Sequence, residues 1–450
     1  MFYLRTTKTA SGATAIQIVR YNYRKRIVVK HIGSAHTPEE IIFLKETARN
    51  WIEQETCQQR LFPEVAKLIL TPIEKCEYLD TRYSFIYEIL SRLLRLLQFD
   101  IPHNQLLLDL VIMRIIQPVS KLESLEYLSQ MFGITYKRGN LYDLITSFSA
   151  LKNVVEKKAV IFAKQNLHFD FSIVFYDVTT LYFESFKEDR DKFRKPGFSK
   201  DNKANQPQIV IGLIVTKEGF PVSYDVFAGN TFEGKTFIPT ITKFKKTYNI
   251  ETLTVVADAA MISQSNIQSL IANDLSYIVG ARMASLKQEE IEEISQKLSS
   301  KEEYLKKLKE KDGLSTRIET ERGTLICDFS FKRYLKDKRE MDKQITKAKK
   351  LLEENEGAKR VKFIKNKDDE KTEQVLNIDL IEKTKILLGI KGYYTNLIDE
   401  TDKTVIDHYH NLWKVEKAFR ITKSDLEARP VFHHKKENIQ AHILICFMAL

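Results

Sequence analysis

Between residues 170 and 282 the chain carries five short runs of apolar, β-branched and aromatic residues: "SIVFYDVTTLYFE" (172–184), "PQIVIGLIV" (207–215), "FPVSYDVF" (220–227), "TLTVVAD" (252–258) and "LSYIVGAR" (275–282). Runs of this length and composition are buried strands. "VTKEGFPV" places a Gly between the second and third, the composition of a hairpin turn. Segments 235–249 and 262–273 read as helices flanking the fourth run. Three strands that can pair antiparallel, followed by helix, strand, helix and strand, specify a mixed α/β sheet.

Two of these runs contain an acid where an apolar β-rich stretch ends, Asp177 in "SIVFYD" and Asp258 in "TLTVVAD". An Asp at a strand end is commonly a turn-former or helix cap. If the first and fourth strands lie side by side, however, the two carboxylates approach each other at one sheet edge, repel, and suit a divalent cation. A third acid is expected from a helix packed across that edge. In "YHNLWKVEKAFRITK" Glu416 borders an apolar face made by Leu412, Val415 and Phe419. Seven residues is close to two helical turns, so Tyr409 and Lys423 fall on nearly the same stripe as Glu416. An ordinary amphipathic helix has the same pattern.

The rest of the chain is organised around this region. Residues 1–36 alternate apolar and polar side chains, as in "TAIQIVRYNYRKRIVVKHIG", and read as a small β hairpin with Arg24, Lys25 and Arg26 near its turn. Residues 37–169 turn helical, with "PEEIIFLKETARNWIEQE", "FIYEILSRLLRLLQF" and "NQLLLDLVIMRIIQPVSKLESLEYLSQMF". Residues 286–378 form a charged stretch read as two solvated helices in an antiparallel hairpin, inserted in the α/β domain of 170–450. The α/β texture returns with "KGYYTNLID" (391–399), followed by a helix through "VIDHYHNLWKVEKAFRITKSDLE". The apolar end "ENIQAHILICFMAL" leads us to expect that the natural chain once continued past Leu450, or does so in relatives.

Composition narrows the partners. The chain has 71 Lys and Arg against 60 Asp and Glu, a net charge of +11, which favours polyanions such as nucleic acid. Cys57, Cys76, Cys327 and Cys446 are scattered, without metal-binding spacing, and are expected to be buried reduced thiols in a cytosolic protein. The start has no signal-peptide layout and no apolar run is long enough to span a membrane, so a soluble, unexported protein is expected. His433 and His434 are tandem and poorly suited to a hard cation, so they are not assigned to a metal.

With Asp177, Asp258 and Glu416 in this order, the sequence resembles the DDE transposases of bacterial insertion sequences. More closely, it resembles the insertion-sequence-four-like group with a Tyr-x2-Arg-x3-Glu-x6-Lys signature. That signature reads here as Tyr409, Leu412, Glu416 and Lys423, with Leu at the Arg position. "FYDVTTLYFES", "GFSKDNKANQPQIVIGLIVTKEGFPVSYDVFAGNT", "VVADAAMIS" and "LWKVEKAFRITKSDLEARPVFHH" carry the resemblance over roughly 170–450.

The resemblance implies an RNase H-like mixed-sheet catalytic core with an inserted charged subdomain, preceded by the hairpin and a helical DNA-binding domain. It implies two Mg²⁺ ions, replaceable by Mn²⁺, held by the catalytic acids Asp177, Asp258 and Glu416 for in-line displacement at phosphorus. Cleavage at the terminal inverted repeats and strand transfer to target DNA follow, in a homodimer on double-stranded DNA, without a membrane, in the bacterial cytoplasm and nucleoid. Tyr409, Lys423, Arg420 and Trp413 are expected to contact DNA, with a Trp beneath the helix as the alternative for Trp413. Lys200 and Lys203, in the loop between the first two strands, are placed on DNA too, or in a plain surface loop. Thr179 and Thr180 either orient Asp177 or serve as β-formers. The alternatives are another RNase H-like nuclease, an inactive or truncated DNA-binding remnant, and an interaction protein built on the charged helices.

Overall fold

The computed structural model describes residues 2–23, 25–56, 82–102, 104–184, 193–199, 203, 205–298, 314–353, 361–366 and 374–450. The chain divides into two compact units, Met1–Asp80 and Thr81–Leu450.

In the first unit, β1 (Phe2–Lys8), β2 (Thr14–Asn22) and β3 (Lys25–Ala35) form an antiparallel sheet in that order. Ile16 and Ile18 of β2 pack against Ala48 of the helix Pro38–Thr56. The hairpin expected over 1–36 therefore has a third strand, and the helix expected to open the domain of 37–169 packs on these strands instead. The physical reason is that a two-stranded ribbon buries too little apolar surface to stand alone. Lys25 and Arg26 are exposed at the start of β3, and Arg24 lies outside the described residues.

The second unit contains β4 (Ile173–Tyr182), β5 (Gln208–Thr216), β6 (Pro221–Ala228), β7 (Thr254–Ala257), β8 (Ser276–Gly280), β9 (Leu314–Thr320) and β10 (Gly323–Phe329). A small separate pair, β11 (Ile364–Asn366) and β12 (Gln374–Leu376), precedes β13 (Ile390–Thr395). The main sheet has the order β6-β5-β4-β7-β8-β13-β10-β9. β4, β5 and β6 pair antiparallel, whereas β4, β7 and β8 run parallel. Among the first five strands of this sheet the order is third, second, first, fourth, fifth, which agrees with an RNase H-like core.

The strands read as continuous apolar runs because both faces are covered. All of β5 is buried. The pleat sends Phe175 and Val256 into one core, which contains the helices Gln105–Ile116 and Lys436–Ala449. Val174, Tyr176 and Val255 point to the other, where Phe237, Ile241 and Phe244 come from the helix Glu233–Thr247. The apolar stretch near Leu450 is thus the buried side of a core helix, packed on Gln105–Ile116 and Arg138–Phe148. Cys327 and Cys446 are buried free thiols, while Cys57 and Cys76 lie outside the described residues. No helix among the described residues is long and apolar enough to cross a membrane.

The span 286–378 differs from expectation. It contains the charged helices Gln288–Lys297 and Phe331–Glu353, but between them β9 and β10 extend the main sheet past β13. A simple helical hairpin inserted in the domain is therefore corrected to a segment that adds two strands to the sheet. "LSTRIETERGTLICDF" has strand character and a turn at Gly323 with φ +97°, a conformation that favours Gly. The dense charge on either side hid that signal.

The helix Lys152–Gln165 is fastened to β6 through one carboxylate. Glu156, whose side chain is 5% exposed, accepts from Lys152 Nζ at 3.0 Å, Ser223 Oγ at 2.9 Å and the Tyr224 amide at 2.9 Å. We predict that Glu156→Ala lowers the unfolding free energy by about 3 kcal/mol, since buried donors lose a charged acceptor. Urea denaturation checks this, and a loss within error of zero would show that the network does not hold helix to sheet.

Candidate active site

β4 and β7 are parallel neighbours, with Tyr176 opposite Ala257. Carrying that register one residue further sets Asp177 beside Asp258, where β7 ends. β7 stops because Asp258 caps a short turn at Ala259–Met261, its Oδ1 accepting from the Ala259 amide at 2.6 Å. Asp177 Oδ1 likewise accepts from the Val178 amide at 2.7 Å. Asp258 is exposed and Asp177 half-buried, so both carboxylates keep contact with solvent.

The helix expected to run unbroken through 405–427 is two helices, Asp402–His410 and Trp413–Arg420, separated at Asn411 and Leu412. Val415, Ala418 and Phe419 of the second are buried, and the helix packs on β4 and β5. Its opposite edge presents Glu416 and Arg420 to an open cleft of about 290 Å³, which Asp177, Thr179, Lys423 and Arg429 also line. Lys423 reaches this cleft from a wide π-type turn, Ile421–Asp425, in which the Leu426 amide bonds back to the Ile421 carbonyl at 2.9 Å. Such turns insert a residue and redirect the side chains that follow.

Tyr409 belongs to the first helix and is buried, so it does not share a stripe with Glu416 as the seven-residue spacing suggested. Its hydroxyl donates to Asp258 Oδ1 at 3.3 Å. Burial, then the charge of Asp258, holds that hydroxyl far above its usual pKa range, so it remains a donor. Gly280, at the end of β8, makes room for it: a Cβ there would lie 2.4 Å from the Tyr409 hydroxyl.

Three participants were not legible from motif spacing. Lys391 on β13 sits with its Nζ 4.4 Å from the centroid of the Tyr409 ring. Burial, then the charge of Arg333, lowers its pKa, against the opposing pull of Asp258 and Glu416. The available signal was a lone Lys in the apolar run "IKGYYT". Arg429 enters the cleft from the segment after the helix, and Gly280 acts only through the space it leaves.

Other expected residues fall elsewhere. Leu412 is buried in the core, so the signature's Arg position does not face the cleft. Trp413 is 51% exposed, with Lys417 Nζ 6.0 Å from its ring centroid, which removes the reading of a Trp buried beneath the helix. Lys203 lies over the Tyr182 ring at 5.4 Å, outside the lining of the cleft. Lys200 is outside the described residues. Thr179 and Thr180 are both buried. His433 Nε2 is 2.8 Å from Lys121 Nζ, and His434 Nδ1 is 3.0 Å from Arg194 Nη1.

Among the described residues no three His, Cys, Asp or Glu side chains are grouped tightly enough to hold a metal ion. The donors are nevertheless of the right kind. Asp177 within β4 and Asp258 just past β7 offer carboxylate oxygens at neighbouring positions on central strands, and Glu416 lines the same cleft as Asp177.

The family model for the transposase DDE domain matches residues 168–450. No curated protein matches the chain. Among solved structures, the piggyBac transposase synaptic complex with hairpin DNA is similar, at 10% identity and a TM-score of 0.40, over 81% of this chain and 70% of that one. The Mos1 transposase paired-end complex with left transposon end is similar at 12% identity and a TM-score of 0.18, over 52% of this chain and 66% of that one.

The tight seat of Tyr409 gives a stability prediction. Gly280→Ala is expected to cost about 1–3 kcal/mol, the usual penalty for overpacking a filled site. Urea unfolding measures it; an unchanged midpoint would mean that the tyrosine hydroxyl is not held against β8.

Proposed function

From the premise that the chain belongs to the transposase DDE domain family, we propose that it is a metal-dependent enzyme of the insertion-sequence-four-like group, cutting at the terminal inverted repeats of its element and joining the 3′-OH ends to target DNA. The single observation that carries this reading is the cleft in which Asp177 and Glu416 meet Arg420, Lys423 and Arg429. Carboxylates and cations lining one open groove suit a phosphodiester held by its charge while a hard cation is held beside it.

Asp177, Asp258 and Glu416 would hold two Mg²⁺ ions, or Mn²⁺ in their place, which when bound supply an activated water or 3′-hydroxyl and stabilise the leaving oxygen. The chain's own groups do the positioning. Tyr409 donates to one oxygen of Asp258, which fixes that carboxylate's rotamer and leaves its other oxygen for a ligand. Lys423 acts as a point charge on a phosphate, and Arg420 and Arg429 offer the forked guanidinium geometry that Leu412 does not provide. Lys391, desolvated beside the acids, is placed to meet a phosphate oxygen or to offset the paired carboxylates before a cation arrives. Trp413 and the loop lysines Lys200 and Lys203 are assigned to flanking DNA, and the active form to a homodimer that brings two ends together.

A second reading is a protein that binds element ends without cutting them. It is favoured by the lack, among the described residues, of a tight three-acid group.

The test is cleavage of a labelled duplex carrying the inverted repeat that flanks the coding sequence, with Mg²⁺ or Mn²⁺. The wild type is expected to cut at the repeat. Asp177→Ala, Glu416→Ala is expected to lose more than the ~10–100-fold that removing an outer-shell partner costs. Metal-dependent binding of the repeat by both proteins, with cutting by neither, would reject the catalytic reading in favour of the second.

A further inference from the structure

Beside the cleft is a second recess of about 350 Å³, lined by Arg114, Lys121, Arg429, His433, His442 and Glu427, among others. Arg114 and Lys121 are 6% and 7% exposed. Long cationic side chains buried to this degree are ordinarily paired with carboxylates. Among the described residues neither has an ion pair with one. Their partners are neutral. Arg114 Nη1 donates to the Leu426 carbonyl at 3.5 Å. Lys121 Nζ lies 2.8 Å from His433 Nε2 and 2.9 Å from His442 Nδ1. His442 Nε2 is 2.9 Å from the Ala428 carbonyl, so that nitrogen carries the ring proton and Nδ1 accepts from the lysine.

Among the described residues, the one carboxylate in the lining, Glu427, is exposed. Burial pushes the Lys121 ammonium down to about 7 and His433 down to about 3, so the protein by itself does little to favour positive charge here. An anion would supply what is missing. Arg429 lines both this recess and the cleft at Asp177, which makes the two neighbours along the segment that follows the Glu416 helix.

We propose that this recess binds a phosphate group of the DNA strand whose end occupies the cleft, gripped by Arg114, Lys121 and Arg429. The forked guanidinium of Arg114 and the remaining Lys121 proton suit a tetrahedral oxyanion. The phosphate chemistry rests on the recess alone; its assignment to DNA rests on the transposase reading. Free inorganic phosphate offers the same chemistry, so the experiment separates the two sources.

Two measurements are made at pH 7 without divalent metal, so that cutting plays no part. The first compares melting temperatures in inorganic phosphate and in chloride of equal ionic strength, with and without the inverted-repeat duplex, for wild type and Lys121→Met. The second follows duplex affinity by fluorescence anisotropy as salt rises. Phosphate is expected to raise the melting temperature of the wild type and not of Lys121→Met, and bound duplex to abolish that rise. Lys121→Met should also reduce the slope of log K on log salt by about 1.

An identical response of both proteins to phosphate would overturn the site. A phosphate effect that persists with duplex bound, with an unchanged salt slope, would overturn the DNA assignment and leave a free-phosphate site. A wild type that responds to phosphate but does not bind the duplex would overturn the DNA assignment too, and the end-binding reading with it. Arg114→Met, put through both measurements, decides the matter if Lys121→Met does not fold.

Discussion

The parallel pairing of β4 with β7 is the constraint on which the rest of the second unit depends. A parallel pair needs a crossover, and here the crossover contains β5, β6 and a helix, which places the antiparallel strands on one side of β4 and β7 on the other. The register then fixes Asp177 next to Asp258 without any contact between their side chains having to be favourable. That pairing is held by two buried apolar cores, one on each face of the sheet. Strand pairing and burial, not a favourable contact between the two side chains, therefore set Asp177 and Asp258 side by side.

Cationic side chains gather near these acids. Arg420, Lys423 and Arg429 line the cleft from three positions in the segment that starts at Glu416, while Lys391 arrives from the sheet. The change from α-helical to π-type winding at Ile421 directs Lys423 toward the acids. Leu412, by contrast, is buried, and the guanidinium groups that line the cleft, Arg420 and Arg429, enter later in the sequence. The same segment continues into the recess that Arg114 and Lys121 line, where Arg114 donates to the Leu426 carbonyl.

Much of this was legible because strands leave a strong local trace. "SIVFYD" and "TLTVVAD" gave both strands, with Asp258 at the end of β7 as expected, whereas β4 runs on through the β-formers Val178, Thr179 and Thr180 to Tyr182 and holds Asp177 in its middle; the helices at 235–249 and 262–273 followed from apolar spacing. Tyr409 was misplaced because a seven-residue spacing implies one face only while the helix is unbroken, and the break at Asn411 and Leu412 has no Pro or Gly to announce it. β9 and β10 were missed because charged helices surround them. Lys391, Gly280 and Arg429 depend on tertiary neighbours, Tyr409 above all, and no pattern along the chain encodes such contacts.

The proposed mechanism requires Asp177 and Asp258 to act as one ligand pair for a divalent cation. Electron paramagnetic resonance of Mn²⁺ titrated into the protein reads this without DNA or turnover, in wild type, Asp177→Asn and Asp258→Asn, with circular dichroism to show that each is folded. Each single variant is expected to weaken Mn²⁺ binding by more than ~10-fold, as loss of a ligand must exceed loss of an outer partner. A folded Asp258→Asn protein that binds Mn²⁺ as tightly as the wild type would contradict it.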